Sequence, residues 1–282
     1  MPIELRNVTY SYSRGSLPAV RGVSLDIADG EYIGIMGAAD SGQTTLLELM
    51  AGVIKPTEGT VTLDGEDINA KKYNKAQLRT AVGYLMHRPE RRIFETTVER
   101  DVGFVLRGMG LNRAEQTERI KAALTLAGLN YDTIADKSPF ALPLSIQRRV
   151  ALAGVLCADV RILLLDEPFA GLDYPAKQEL ISLLSSLNAQ GKTIITVTQE
   201  ADALAENAGH IGIMRAGELV RIGRTRDIFS DYYDLLNNGV TAPSVRLIVQ
   251  LLREKGVDMP GNVITREQLL DRLKIIMWRK MK

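Results

Sequence analysis

YIGIMGAADSGQTTLLELM, residues 32–50, is the stretch of sequence that decides the fold. Its apolar beginning, residues 32–36, is typical of a short buried strand, and residues 44–50 have the pattern of a helix. A glycine-bearing loop lies between them. A strand, a glycine loop and a helix in this order predict an anion-binding turn, because the free N–H groups at the helix N-terminus point toward the loop.

The loop follows the phosphate-loop spacing G-x-x-x-x-G-K-[ST] at every defined position except the lysine, which is Gln43. In an intact loop, backbone N–H groups surround the phosphates, the lysine neutralises the β and γ oxygens, and the final hydroxyl binds Mg²⁺. The cradle and Thr44, the candidate Mg²⁺ ligand, are kept here. The residues expected to contact a nucleotide are Gly37, Asp40, Ser41, Gly42, Gln43, Thr44 and Thr45.

Two changes in this loop predict weak binding of ATP. Gln43 removes a cation whose charge-assisted hydrogen bond is worth roughly 1.5–3 kcal/mol, so ATP should bind about 10- to 100-fold more weakly. Asp40 adds a carboxylate that would repel a triphosphate. A glycine turn before a helix can also arise by chance, so this loop alone does not define a function.

A second apolar run ends in two carboxylates. Residues 162–165 are continuously apolar, as expected of a strand buried on both faces of a parallel sheet, and Asp166 and Glu167 follow. Asp166 would hold Mg²⁺ through water, and Glu167 would polarise the attacking water. A plain strand end with a solvated turn is the alternative. The segment AGLD, residues 170–173, comes directly afterwards.

In this order the segments resemble the ATPases of ATP-binding cassette (ABC) transporters over about residues 1–235. AGLD looks like the D-loop of that family, and a helical insertion separates the two nucleotide motifs. Within the family the chain resembles the ATPase subunits of energy-coupling-factor (ECF) importers, which take up cobalt and vitamins. The stretches that carry this second resemblance are PERRIFETTV (89–98), SPF (138–140), RRVALAGVL (148–156) and the helical C-terminal extension.

The resemblance implies an α/β fold, a P-loop NTPase of ABC type with an antiparallel β subdomain, a helical subdomain and a C-terminal helical extension. Residues 1–226 would form the ATPase domain, with the helical subdomain at about 88–158, and residues 227–282 the C-terminal region. The strands that the pattern predicts are 3–12, 20–27, 32–36, 61–63, 82–85, 162–165, 193–197 and a hairpin at 211–222. Helices are predicted at 175–189 and through most of 98–156.

Departures from the family pattern concentrate at the nucleotide. Residues 142–146 read LPLSI where the family has the signature LSGGQ, so bulk is added at Leu144 and an N–H donor is lost at Pro143. Leu142 and Ser145 would face a nucleotide held by a partner subunit. Gln199 replaces the switch histidine and cannot become an imidazolium. Glu167 and Gln199 are the candidate catalytic residues.

Two further candidates have an alternative explanation. His87 stands where the family has a glutamine and could bond water on Mg²⁺, or it could be a surface polar residue near a loop. Tyr12 lies about where the family stacks adenine on an aromatic ring, or it is a half-exposed strand residue.

The resemblance also implies partners. The family pairs two ATPase subunits beneath a transmembrane coupling protein, which holds a small substrate-binding membrane protein. A homodimer would carry every alteration in both sites, so a heterodimer with an intact ATPase is favoured. ATP and Mg²⁺ are the expected, weakly bound cofactors. A non-hydrolysing ABC-like scaffold or regulatory subunit is the alternative function.

Composition argues against other classes. The net charge is +1, from 35 basic and 34 acidic residues, so no overall field attracts nucleic acid. The only candidate for a basic patch is residues 278–282, and a frayed solvated tail is the favoured alternative there. Cys157 is the one cysteine, which excludes an internal disulfide and suits a reducing compartment. No apolar stretch reaches the roughly 18–20 residues of a membrane span. The chain is therefore expected in the cytoplasm, peripheral on the inner face of the cell membrane.

Overall fold

The strands of the chain are known from a computed structural model that describes residues 3–13 and 15–280. Within these residues they are β1 (Ile3–Tyr10), β2 (Val20–Ile27), β3 (Tyr32–Gly37), β4 (Glu58–Leu63), β5 (Glu66–Asp67), β6 (Val82–Leu85), β7 (Ile162–Asp166), β8 (Thr193–Val197), β9 (His210–Arg215) and β10 (Glu218–Arg224).

The described strands form two sheets. One is four-stranded and antiparallel, in the order β2-β1-β4-β5. The other has the order β10-β9-β3-β8-β7-β6 and is parallel from β9 to β6, with β10 antiparallel at its edge. Because β3 and β7 flank β8 in parallel, the glycine loop after β3 and the carboxylates at the end of β7 lie at the same edge of this sheet.

Helices surround the six-stranded sheet and continue to the C-terminal end. In the described part of the chain they are α1 (Gln43–Met50), α2 (Lys75–Ala81), α3 (Val98–Val102), α4 (Arg113–Leu126), α5 (Tyr131–Ile134), α6 (Leu144–Cys157), α7 (Tyr174–Ala189), α8 (Ala201–Asn207), α9 (Thr225–Ser230), α10 (Tyr232–Asn237), α11 (Ser244–Glu254) and α12 (Arg266–Lys280). Single 3-10 turns lie at Pro89–Arg92, Gly103–Leu106 and Pro139–Ala141. Among these residues, no helix combines the length and apolar character that crossing a bilayer requires.

Alternation along the central strands explains how the sheet holds two layers together. Every residue of β3, β7 and β8 is buried. Ile33 and Ile35 pack toward α1 and the antiparallel sheet, whereas Tyr32 and Met36 pack toward the helices on the opposite face. Successive strand residues point to opposite faces, so a continuous apolar run serves two cores. We call α3–α6 on this second face the helical layer.

The C-terminal region has a small apolar cluster of its own. Val245, Val249, Met259, Val263 and Leu269 are buried together between α11 and α12. The residues just before it pack elsewhere. Ile228, Phe229, Leu235 and Val240 belong to the main core, which is the cluster on the face of the sheet that bears Tyr32 and Met36. The division at residues 226/227 stays a prediction.

The structure differs from the sequence-based expectation in several places, among them α8, which was not predicted. The first strand ends at Tyr10 rather than at residue 12, and the helical stretch 98–156 is divided into α3, α4, α5 and α6. Neither β5 nor α2 was predicted, because two residues are too short for a pattern and α2 buries only Leu78. Of the basic end 278–282, residues 278–280 lie in α12, and Met281 and Lys282 fall outside the described residues.

Candidate nucleotide site

The glycine loop, residues 37–42, joins β3 to α1 in a conformation that two glycines make possible. A Cβ at residue 37 would lie 2.3 Å from the carbonyl oxygen of Met214 and 2.5 Å from Ser41 Oγ. Gly42 has a φ of +97°, and a Cβ at this position would lie 2.0 Å from the carbonyl oxygen of Ala19. Asp40 adopts a φ of 60°, a left-handed conformation that aspartate tolerates better than most residues.

Gln43 folds back into this loop. Its side chain is 7% exposed, and its Oε1 accepts a hydrogen bond from Ser41 Oγ over 2.8 Å. Its Nε2 donates to the carbonyl oxygen of Gly37 over 3.1 Å. A neutral amide therefore stabilises the loop from the position that a lysine has in the phosphate-loop pattern. Asp40 is exposed on the same loop.

Gln199 approaches the loop from the end of β8. Its Nε2 donates to the same Gly37 carbonyl oxygen over 2.6 Å, so two amides share one acceptor. Its backbone N–H donates to Glu167 Oε1 over 3.1 Å, and Thr198 Oγ1 donates to Glu167 Oε2 over 2.9 Å. Gln199 thus connects the glycine loop to Glu167, and both carboxylate oxygens of Glu167 accept hydrogen bonds.

Asp166 and Thr44 meet across the sheet edge. Thr44 Oγ1 donates to Asp166 Oδ2 over 2.8 Å, and Asp166 is 2% exposed. Burial raises the pKa of Asp166, while the hydrogen bond from Thr44 and the nearby His87 act in the opposite direction. Burial likewise raises the pKa of Glu167, opposed first by the hydrogen bond from Thr198.

His87 and Tyr12 lie at the two sides of this cleft. His87 is exposed just beyond β6, and its proximity to Asp166 lowers the pKa of that carboxyl, against the effect of burial. The hydroxyl of Tyr12 lies 2.8 Å from Oγ1 of Thr45 in α1. β1 ends at Tyr10, so Tyr12 lies outside the strand, and the residue is 65% exposed. The strand-residue alternative for Tyr12 is therefore wrong, and stacking on adenine stays a prediction.

The two signature candidates lie in the helical layer rather than in this cleft. The carbonyl oxygen of Leu142 accepts a hydrogen bond from Gln147 Nε2 over 2.9 Å, and the Leu142 side chain packs against the main core. Pro143 precedes the first residue of α6 and supplies no side-chain cap. Ser145 is exposed, and Leu144 is 54% exposed. Leu142 and Ser145 remain candidates for contact with a nucleotide held by a partner subunit.

Thr198 was not predicted as a site residue, although its hydroxyl donates a hydrogen bond to Glu167, the candidate catalytic carboxylate. Its position could have been used, since Thr198 follows directly after a buried parallel strand and precedes Gln199. Within the described residues, no group of three or more His, Cys, Asp and Glu side chains could hold a metal. Thr44 and Asp166 could hold Mg²⁺ only together with other oxygen ligands, as Mg²⁺ does with nucleotide phosphates and water.

Comparisons with solved structures define the class. The ATP-binding cassette MJ0796, in a dimeric post-hydrolysis state with ADP and Pi, superposes with a TM-score of 0.72 at 29% identity, covering 79% of this chain and 99% of that one. CbiO1 of Clostridium perfringens, part of the ABC transporter complex cbiONQ, gives 0.73 at 28% identity, with coverages of 90% and 97%. The model of the ABC transporter family matches residues 20–170. The chain has the fold of a P-loop ATPase of the ABC type.

Curated relatives narrow the class to one family. The ECF transporter ATP-binding protein EcfA2 of Clostridium acetobutylicum is 36% identical over 271 residues, 95% of either chain. EcfA2 of Clostridium perfringens is 32% identical over 277 residues, 97% of either chain. The chain belongs to the family of energy-coupling factor transporter ATP-binding proteins.

Proposed function

We propose that this chain is the subunit of an ECF-type importer, for a vitamin or a metal ion, whose own nucleotide site is impaired. Hydrolysis then depends mainly on the phosphate loop of a partner ATPase. The observation that carries the proposal is the pair of neutral amides, Gln43 and Gln199, bound to one carbonyl oxygen of the glycine loop. The family's lysine and switch histidine would stand at these two positions.

The backbone of the site has a shape that suits Mg²⁺–ATP, but the charges of its side chains do not suit a triphosphate. Gly37 and Gly42 let the loop backbone pack closely against Met214 and Ala19, where a Cβ would clash. A glycine loop held in this way before a helix N-terminus suits phosphate groups. Thr44 and Asp166 would hold Mg²⁺ with oxygen donors. The loop, however, presents the Asp40 carboxylate and a neutral Gln43 to the phosphates. We therefore infer that ATP binds, but weakly.

Glu167 supports weak hydrolysis rather than a rapid reaction. A general base must reach the attacking water in the complex with substrate. Here Thr198 and Gln199 donate to both oxygens of its carboxylate, and Gln199 cannot supply an imidazolium to a developing charge. A second defect lies at Leu142 to Ser145, which would complete the partner's site with a bulkier and less polar surface.

The proposed assembly has three kinds of partner. They are an intact second ATPase in a heterodimer, a transmembrane coupling protein and a substrate-binding membrane protein. No nucleic acid takes part. We place the chain in the cytoplasm, on the inner face of the cell membrane, and retain residues 1–226 as the ATPase domain with residues 227–282 appended to it.

The test is turnover of the complex purified with its natural partners. Replacing the partner's catalytic glutamate by glutamine should reduce ATP hydrolysis to background. Glu167→Gln in this chain should reduce it less than about 2-fold, since little turnover passes through this site. Equal losses from the two substitutions would contradict the asymmetry.

The second candidate is a scaffold or regulatory subunit that docks on membrane proteins without turning over ATP. The joint loss of the lysine, the signature glycines and the switch histidine favours it. Isothermal titration at millimolar ATP separates the candidates. A complex that assembles while this chain binds no nucleotide would establish the scaffold and exclude the first proposal.

A further inference from the structure

A cavity of about 250 Å³ lies between the six-stranded sheet and the helical layer. Its walls come from the ends of β6 and β7, from α6 and α7, and from the C-terminal end of α4. Among the described residues that line it, none belongs to the glycine loop, and Tyr12 and Gln199 are absent as well. His87, Asp166 and Glu167 border both spaces, so the cavity adjoins the nucleotide site, and its other walls lie outside that site.

The interior of this interlayer cavity is apolar. Leu126, Leu152, Leu172, Leu180 and Leu183 are among the residues that line it. A water molecule occupies about 30 Å³ of liquid and needs two or more polar partners, which leucine side chains cannot provide. An apolar body the size of one or two aromatic rings therefore suits the space better than a cluster of waters does.

Two adjacent arginines of α6 give the cavity a basic side. Arg148 is held firmly, because its Nε lies 3.2 Å from Glu90 Oε2 and its Nη1 donates to the Ala170 carbonyl oxygen. Arg149 is held at the mouth, with Nη2 3.1 Å from Glu179 Oε2 and Nη1 3.4 Å from the Ala127 carbonyl oxygen.

The partner of Arg149 is replaceable. The Glu179 side chain is 66% exposed, whereas the Arg149 side chain is 23% exposed, so the guanidinium is the fixed member of the pair. Ion pairs with an exposed carboxylate contribute little stability. Gly128, at a φ of +72°, leaves room for the guanidinium, since a Cβ there would lie 2.2 Å from Arg149 Nη1. A ligand carboxylate could take the place of Glu179 and pair with both guanidinium nitrogens.

The carboxylates of Asp166 and Glu167, which also line the cavity, accept hydrogen bonds from residues of the nucleotide site. The Asp166 carboxylate accepts from Thr44, and the Glu167 carboxylate accepts from Thr198 and Gln199, all on the nucleotide side. Arg88 adds a further basic side chain to the lining. Arg149, whose partner Glu179 is exposed, is therefore the lining residue with which a ligand carboxylate could pair.

We infer that this cavity is a binding site for a small organic anion, an aromatic or short aliphatic carboxylate. Its apolar body fills the leucine-lined space, and its carboxylate pairs with Arg149. Because the site lies between the sheet and the helical layer, a bound anion contacts both and favours one spacing between them.

The probe is 2-naphthoate, titrated calorimetrically into the purified full chain, with 2-naphthalenemethanol as its neutral counterpart. The carboxylate should bind saturably and about 10-fold more tightly than the alcohol, as expected of a charge-assisted pair. Arg149→Met should remove that preference while leaving the affinity for the alcohol within about 2-fold. Arg113→Met is the matched control. Arg113 also lies 3.1 Å from one carboxylate, that of Glu99, at the opposite end of α4 from the cavity.

Filling the cavity tests its location. Ala176 lies on the α7 face that lines it, one turn from Leu180. Ala176→Phe should abolish binding of both probes, and Ala176→Leu, a smaller change checked by its thermal unfolding, should weaken both. Three results would each overturn the assignment. They are no saturable binding up to about 10 mM, unchanged binding in folded Ala176→Phe, and equal effects of Arg149→Met and Arg113→Met.

Discussion

The two sides of the nucleotide site differ in what has been altered. On the side of β7, Asp166 and Glu167 match the ABC pattern in type and position. On the side of β3, Asp40 and Gln43 do not, yet the glycine loop retains a cradle that is stabilised by hydrogen bonds from Gln43 and Gln199. The comparison teaches that shape and charge are separable here. Backbone shape depends on glycines and neutral hydrogen bonds, whereas the charge that a triphosphate needs depends on single side chains.

The largest effect is expected where the shape itself is broken. Gly42→Ala combines a φ of +97° with a Cβ that would lie 2.0 Å from the Ala19 carbonyl oxygen. We expect the free energy of unfolding to fall by more than about 3 kcal/mol, measured with guanidinium chloride. Gly191→Ala is the control, because φ is +92° there and nothing lies within 4 Å of a Cβ. It should cost about 1–2 kcal/mol, and equal losses would contradict the steric account.

Restoring the charge should come next in size. Gln43→Lys with Asp40→Gly returns the cation and removes the carboxylate, so Mg²⁺–ATP should bind about 10- to 100-fold more tightly by isothermal titration. Gln43→Met with Asp40→Gly is the control, since methionine has a similar length without charge. A gain of the same size in the control would show that charge is not what the altered loop lacks.

On the β7 side, the contribution of Glu167 to the stability of the protein should depend on pH. Burial raises the pKa of Glu167, so the protonated form is favoured in the folded protein. The contribution of protonated Glu167 to the free energy of unfolding is complete below the pKa of the unfolded state. It is lost as pH rises through the pKa of the folded state. Glu167→Gln should therefore be more stable than the wild type at pH 7, by about 0.5–1 kcal/mol, and the gain should shrink toward pH 4. Glu118→Gln, at a side chain that is 77% exposed, should show no such trend in chemical denaturation at the two pH values.

The smallest effect concerns the edge of the site. Tyr12→Phe removes the hydroxyl that lies 2.8 Å from Thr45 Oγ1, which should cost about 0.5–1 kcal/mol of stability. Because the ring is kept, ATP affinity should change less than about 3-fold, whereas Tyr12→Ala should lower it further if adenine stacks there. An equal affinity in the two variants, measured by titration, would remove Tyr12 from the nucleotide site.

Most of the fold could be predicted because the strands are either apolar runs or alternate between buried and exposed residues. The expected strands 20–27, 82–85 and 193–197 have the bounds of β2, β6 and β8. The short polar elements β5 and α2 gave no such signal. Asn74, whose side chain caps α2 at the N–H of Ala76, was the one local cue that could have indicated the helix.

The candidate site was predictable by residue type but not by contact. Gln43 and Gln199 were both recognised as departures, yet their shared bond to Gly37 joins positions 162 apart in one case and 6 apart in the other. Hydrogen bonds of this kind depend on the strand order of the sheet, which no local pattern encodes. The bonds from Thr198 and Gln199 to Glu167 were missed for the same reason.

The left-handed backbone of Asp40 has a consequence for how such a loop can diverge. At a φ of 60° only a few residue types fit without strain, chiefly glycine, asparagine and aspartate. One substitution within that short list can reverse the electrostatics of the turn while the polypeptide still folds. Ancestral reconstruction of this lineage should therefore find folded intermediates at every step from a loop with lysine at residue 43 to the present one.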